Sequence, residues 1–165
     1  MATWGQVTAS DPAFAEAVRA RFDAHRHKVL ATLRRDGAPR ISGIEAAFAE
    51  GDLWMGMMQG SRKARDLQRD PRLAVHSASE DPPEDPAAWE GDAKVSGRAV
   101  EITDQERVIT VLRAMGAADD GPPPPLHLFR VDVTEAVLTR VGDPPDHLAI
   151  ELWRDGEGVR RMHRG

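Results

Sequence analysis

Gly60-Ser61-Arg62-Lys63-Ala64-Arg65-Asp66-Leu67, set directly behind the apolar run Leu53-Trp54-Met55-Gly56-Met57-Met58, combines the groups that hold a phosphate. Gly60 permits a tight turn, Ser61 brings a hydroxyl, and the first N–H groups of a helix lack intrahelical acceptors. Arg62, Lys63 and Arg65 add three cations in close succession. Between Ser61 and Arg72, five cationic side chains stand against Asp66 and Asp70, in a chain whose formal net charge is −5 over 165 residues. A basic spot on an acidic protein suits a small anion better than a nucleic acid, which needs a broad basic face. The same spacing fits an amphipathic surface helix whose Arg and Lys pair with Asp66 and Asp70. The segment alone leaves both readings open.

Composition narrows the chemistry further. There is no Cys, which removes disulfides, thiolate metal sites and a cysteine nucleophile. Tyr is absent and aromatic residues make up 5% of the chain, too few for a base-stacking platform. No apolar run is long enough to cross a bilayer, and Met1–Gln6 lacks the basic and then apolar regions of a signal peptide. A cytoplasmic protein without nucleic-acid or membrane partners is expected. With 41% hydrophobic residues the chain can bury one sizeable core, so a single domain over 1–165 is expected. No two histidines have the His-Glu-x-x-His spacing, and no metal site is expected.

The elements around the basic segment read mainly as strands. Asp11-Pro12 opens an amphipathic helix through Phe14, Val18 and Phe22. Val29–Leu33 and Ala38–Ala49 are extended and joined by Arg34-Arg35-Asp36-Gly37, a hairpin signal because Gly accepts the positive φ of such turns. Glu50-Gly51-Asp52 returns the chain into Leu53–Met58, which makes three consecutive antiparallel strands. Asp70-Pro71 stops the basic helix before a strand Arg72–His76. The acidic, Pro-rich run Glu80–Pro86 reads as a loop, and Trp89–Ile102 as a long alternating strand. Asp104 caps a helix through Met115, which Gly121–Pro125 breaks. Leu126–Val133, Ala136–Val141, His147–Trp153 and Val159–Met162 read as separate short strands. Many strands, few helices and no βαβ alternation argue for a closed antiparallel barrel.

The hairpin and following strand, the Gly60–Leu67 segment, Asp70-Pro71-Arg72-Leu73-Ala74-Val75 and Val95-Ser96-Gly97-Arg98-Ala99-Val100-Glu101-Ile102, in that order, resemble the pyridoxamine 5′-phosphate oxidase-like split-barrel flavoproteins. The resemblance implies a mainly β (α+β) fold: a split β-barrel of antiparallel Greek-key type with a few peripheral helices. It implies a homodimer holding FMN or the deazaflavin coenzyme F-420 at the subunit interface, and hydride transfer to or from a small organic substrate. Ser61, Arg62 and Lys63 match the segment that grips the cofactor phosphate. Met57, Met58 and Gln59 match the strand end beside the isoalloxazine ring or phosphoribityl tail. Met55 and Met57 also read as ordinary core fillers, and Gln59 as the polar contact.

Two departures from the oxidase pattern matter. That pattern has an arginine, followed a few positions later by a lysine, in the strand before the phosphate segment. Here Ile41–Ala47 carries no arginine unless Arg40 takes its place, and no lysine follows. Pyridoxamine phosphate oxidation itself is therefore not expected. Glu45, alone among apolar neighbours, is either a rim residue or a polar group facing cofactor or substrate. The other class of function is a non-catalytic module that carries a flavin or binds haem, with the C-terminal His163 as the candidate axial ligand.

Overall fold

The computed structural model describes residues 1–116 and 123–165; Gly121 and Pro122, the start of the expected Gly121–Pro125 break, lie outside the described residues. The described residues form eight strands: β1 (His27–Leu33), β2 (Pro39–Ala49), β3 (Asp52–Met58), β4 (Arg72–His76), β5 (Asp92–Ile102), β6 (Leu126–Val141), β7 (Leu148–Arg154) and β8 (Gly158–Arg164). They form one antiparallel sheet in the order β3-β2-β1-β4-β5-β6-β7-β8, and β3 also pairs with β6, closing the first six into a barrel. β1 to β3 form a meander and β4 returns beside β1, the spatial order of a Greek key. Among the described residues four α-helices accompany the sheet: α1 (Trp4–Ser10), α2 (Pro12–Asp23), α3 (Arg62–Arg69) and α4 (Gln105–Ala114). The architecture is mainly β and is a split barrel.

Side-chain alternation builds the interior. On β2, Ile44, Ala46 and Phe48 are buried while Gly43 and Glu45 face outward. Leu30, Leu53, Met55, Val75, Val95, Phe129 and Val131 join them in one core. The N-terminal helices add rings to it: Trp4 lies 4.5 Å and Phe22 5.4 Å from Phe48, centroid to centroid. α1 was not expected from the residue pattern, yet its start is a capping box in which Thr3 and Gln6 satisfy each other's backbone N–H groups.

One expectation is corrected. Leu126–Val133 and Ala136–Val141 are not separate strands but the two ends of β6, which runs for 16 residues. The interruption is a bulge at Thr134, which is skipped where the pairing steps from Gly97–Val133 to Ser96–Glu135. Thr134 donates its hydroxyl to the Ser96 carbonyl at 3.2 Å. Gly97 is required there, because a Cβ would collide with the Asp132 carbonyl oxygen. The bend divides the strand's labour: Leu126–Val131 pairs with β3 to close the barrel, and Glu135–Val141 pairs with β7 to carry the outer hairpin.

Two helices dock on this barrel at different places. α3 links β3 to β4 and sinks Ala64 and Leu67 into the core. α4 covers the outer side of the barrel, where Val108, Val111 and Leu112 pack on Trp54 and Leu128. Trp54 is 1% exposed and donates its indole N–H to the Ala49 carbonyl at 2.9 Å.

Candidate functional site

The start of α3 has the form its residues call for. Gly60 has φ +72°, so the chain turns sharply after β3. Ser61 is the N-cap and accepts the Ala64 N–H at 3.4 Å. Among the described residues, the N–H groups of Arg62 and Lys63 have no partner. Gly60 donates its own N–H to Nε2 of His127 at 3.1 Å, and Nδ1 of that ring lies 2.6 Å from Glu101. His127 therefore ties the Gly60 turn to β6.

On one side of the α3 start lies a cationic cavity of about 450 Å³, lined by Arg34, Arg35, Arg40, Arg62, Arg65 and Arg69 together with Asp36 and Asp66. Asp66 organises it from beneath. Its side chain is 5% exposed and receives hydrogen bonds from Arg40 Nε at 2.6 Å, Thr32 Oγ1 at 3.0 Å and Arg69 Nη2 at 3.1 Å. Burial pushes the Asp66 carboxyl up, but the hydrogen bonds from Arg40, Arg69 and Thr32 outweigh it and hold the group below the usual carboxylate range. The solvated-helix reading holds in part, since Arg62, Arg65 and Arg69 are exposed and Arg69 pairs with Asp66 at helical spacing; it fails for Asp66 itself, which is buried and pinned to β1 and β2, and for Asp70, which pairs with Arg72 beyond the helix end.

On the other side lies a mostly apolar groove of about 370 Å³ on the outer face of β2 and β3. Leu112, Met115 and Leu126 wall it, Glu45 and His27 stand at it, and Gly43 and Gly56 lie within it. A Cβ at either glycine would meet nothing within 4 Å, so both strands present bare backbone to open space. That flat, uncluttered surface fits the face of a planar ring system. Lys63 reaches across from α3, donating from Nζ to the Gly43 carbonyl at 2.6 Å, and burial lowers its ammonium pKa.

The predicted residues divide between these surfaces. Ser61 and Arg62 belong to the helix start and the cationic cavity, while Met57, Met58 and Lys63 line the groove. Met57 is both, since it is 3% exposed within the barrel core, whereas Met58 is 80% exposed. Gln59 lies elsewhere: it is exposed and lines a third cavity with Glu101 and His127. Arg40, which lies just outside the Ile41–Ala47 segment, meets the α3 start through Asp66. Arg34 and Arg35 read only as turn residues, and Gly43 and Gly56 carried no signal, because nothing local tells an empty glycine position from a filled one. Glu45 does line the groove, paired with Arg26 at 3.0 Å. His163 sits on β8 with its ring 4.8 Å from that of His147, and Arg161 pairs with Asp11 and Glu151, outside both surfaces. Among the described residues no three His, Asp or Glu side chains converge as metal ligands, and no helix is long and apolar enough to cross a membrane.

Comparison with known proteins identifies the family and the fold. The family model for pyridoxamine 5′-phosphate oxidase matches residues 14–140. No curated protein matches the chain. Among solved structures, an F420 reductase is 19% identical with a TM-score of 0.52, the match covering 73% of this chain and 94% of that one. PhzG from Burkholderia lata 383, in complex with tetrahydrophenazine-1-carboxylic acid, is 16% identical with a TM-score of 0.58 over 96% of this chain and 91% of its own. A haem-binding protein from Mycobacterium smegmatis is 18% identical with a TM-score of 0.55 over 90% and 87%. At such identities these structures share the fold alone. The family match spans most of the chain and the strands close into a split barrel, so the protein belongs to the pyridoxamine 5′-phosphate oxidase-like split-barrel family.

Proposed function

We propose that this protein is a flavin-type oxidoreductase that binds FMN or coenzyme F-420 and exchanges a hydride with a small organic substrate. The observation that carries the reading is the bare-backbone groove of Gly43 and Gly56 set next to the cationic start of α3. A planar ring fits the first and an anionic tail the second. Arg40 and Gly43 are three residues apart on β2, roughly 10 Å along an extended strand, a span that a sugar-alcohol phosphate bridges. The bound flavin supplies the redox chemistry. Arg62, Ser61 and the free N–H groups of α3 hold the phosphate, and Lys63, Met57 and Met58 border the ring; Gln59, in the separate cavity of Glu101 and His127, stands outside both surfaces. Leu112 and Met115 exclude water from one side of the groove.

The substrate is a molecule other than pyridoxamine phosphate. Glu45 puts a carboxylate on the groove near where the oxidase pattern carries a lysine, and a carboxylate repels a second phosphate. The functional unit is a homodimer. Val29, Ile41 and Met58 are 42%, 75% and 80% exposed on the outer sheet surface, apolar area that a second copy covers.

The test is titration of the purified protein with FMN and with coenzyme F-420, followed by absorbance, with light scattering for the mass in solution. Binding of one cofactor by a dimer that Ile41→Asp splits is expected. Failure of both cofactors to bind overturns the flavin reading, and a monomer that binds tightly overturns the dimer.

A further inference from the structure

We infer that the cationic cavity takes an anion bearing more than one charged group, a phosphate joined to a second phosphate or to carboxylates, and that Arg34 and Arg35 hold the second group. The inference rests on the flavin reading, since it describes the anionic end of the same ligand.

Some of the cavity's arginines are already neutralised. Arg40 and Arg69 share the buried carboxylate of Asp66, and Asp36 uses Oδ1 to accept the Ala38 N–H inside its own turn. Among the described residues, Arg34, Arg35, Arg62 and Arg65 have no carboxylate partner, although all four line one cavity. This is unusual for the molecule. Its net charge is −5, and most arginines elsewhere find acids, among them Arg19 with Asp23, Arg26 with Glu45, Arg72 with Asp70, Arg107 with Glu50 and Arg154 with Glu135; among the described residues Arg98, Arg113 and Arg164 do not, but they stand singly on three separate elements rather than around one cavity. Four unpaired guanidinium groups gathered on an acidic protein repel one another until an anion joins them.

A single phosphate does not use them all. Such a group carries a charge of about −1.5 to −2 near neutral pH, which Arg62, Arg65 and the start of α3 can balance. Arg34 and Arg35 come from a different element, the turn between β1 and β2, and face the same space from the other side. They leave two further fork-shaped donors, each suited to a phosphate or carboxylate. The cavity, at about 450 Å³, has room for both groups.

The experiment is calorimetric titration of the full chain with inorganic phosphate, pyrophosphate and tripolyphosphate at one ionic strength. It uses the wild type, Arg34→Gln/Arg35→Gln in the exposed turn, and Arg160→Gln/Arg164→Gln on β8 as a charge-matched control. The longer anions are expected to bind at least about tenfold more tightly than phosphate, the equivalent of one charge-assisted contact. The turn variant removes most of that margin and leaves phosphate within about threefold of wild type, while the control retains the margin. Equal affinity for the three anions, or an equal loss in the control, overturns the inference. A parallel FMN and F-420 titration separates the two readings. Flavin binding without a margin among the anions overturns this inference and leaves the flavin reading standing. A margin that depends on Arg34 and Arg35 without flavin binding supports the polyanion site and removes the flavin from it.

Discussion

The two surfaces flanking the start of α3 are built on opposite principles. The cationic cavity is held from within by a buried carboxylate, with Asp66 clamping Arg40 and Arg69 while Thr32 completes its hydrogen bonds. The groove is defined by what is missing, since Gly43 and Gly56 leave strand backbone uncovered beside Met57, Leu112 and Met115. One surface is organised charge and the other is vacated area. Arg62 and Lys63 are neighbours in sequence, yet Arg62 lines the first and Lys63 the second, because successive helical residues point in different directions. A ligand gripped by both needs an anionic end and a flat apolar body.

The largest effect tests the scaffold of the charged side. Asp66→Ala strands Arg40 and Thr32 without their partner and is expected to cost about 3–5 kcal/mol of stability, read from chemical denaturation. The pH dependence has a definite sign. The folded carboxyl titrates below the unfolded one, so the contribution is complete above the ordinary carboxylate range and fades as pH falls through the lowered folded value. Wild-type and Asp66→Asn proteins that lose stability in parallel on acidification would refute this clamp.

Next comes the grip on the ligand. Arg62→Ala combined with Lys63→Ala is expected to lower flavin affinity by about 3 kcal/mol, with folding preserved, since hydrogen bonds to charged groups are worth about 1.5–3 kcal/mol each. The single variants sharpen the contrast: Arg62→Ala weakens binding of inorganic phosphate, whereas Lys63→Ala weakens flavin more than phosphate. Calorimetry of both ligands decides, and equal effects of the two variants on phosphate would merge the two surfaces into one.

Gly56→Val probes the vacated side. The added side chain enters open space on a strand, where a β-branched residue is favoured, so the variant should fold at least as well as wild type. It should lose about 1–3 kcal/mol of flavin affinity, the range of an overpacked site, and leave phosphate binding intact. Retained flavin affinity would show that the ring lies elsewhere.

A smaller effect is set by pH. Burial lowers the Lys63 pKa, so this lysine is cationic below that value and loses its charge earlier than an ordinary lysine as pH rises. Flavin affinity should therefore decline at alkaline pH before phosphate affinity does, and Lys63→Arg should abolish the difference. The smallest effect belongs to Gln59→Ala, expected to change flavin affinity by less than about 0.5 kcal/mol because the side chain is exposed and lines a separate cavity. A larger loss would extend the ligand site to the cavity of Glu101 and His127.

Much of the fold was legible locally. Periodicity marked β1 to β5, the Asp36-Gly37 turn, the Asp11 and Asp104 caps and the helix behind Ser61, since each rests on the preferences of adjacent residues. The continuity of β6 was not, because Thr134 interrupts the alternation and only the pairing with Ser96 and Gly97 shows the interruption to be a bulge. Asp66 illustrates the same limit in the site. Its spacing to Arg69 and its nearness to Asp70 suit a solvated helix face, and what reverses that reading is Thr32 and Arg40, more than two dozen residues earlier in the chain.

By itself, then, the sequence determined the strand-rich pattern, the glycine turn and capped helix start, and the concentration of cations there, all properties of short segments. The tertiary structure decided the rest: that Arg34, Arg35 and Arg40 converge on the cations of α3, that Lys63 turns to the groove, and that Gly43 and Gly56 face open space. Those are facts about neighbours distant in the chain: the packing of α3 against the β1–β2 hairpin brings the charged residues and Lys63 to their partners, and the docking of α4 walls the groove in which the two glycines lie.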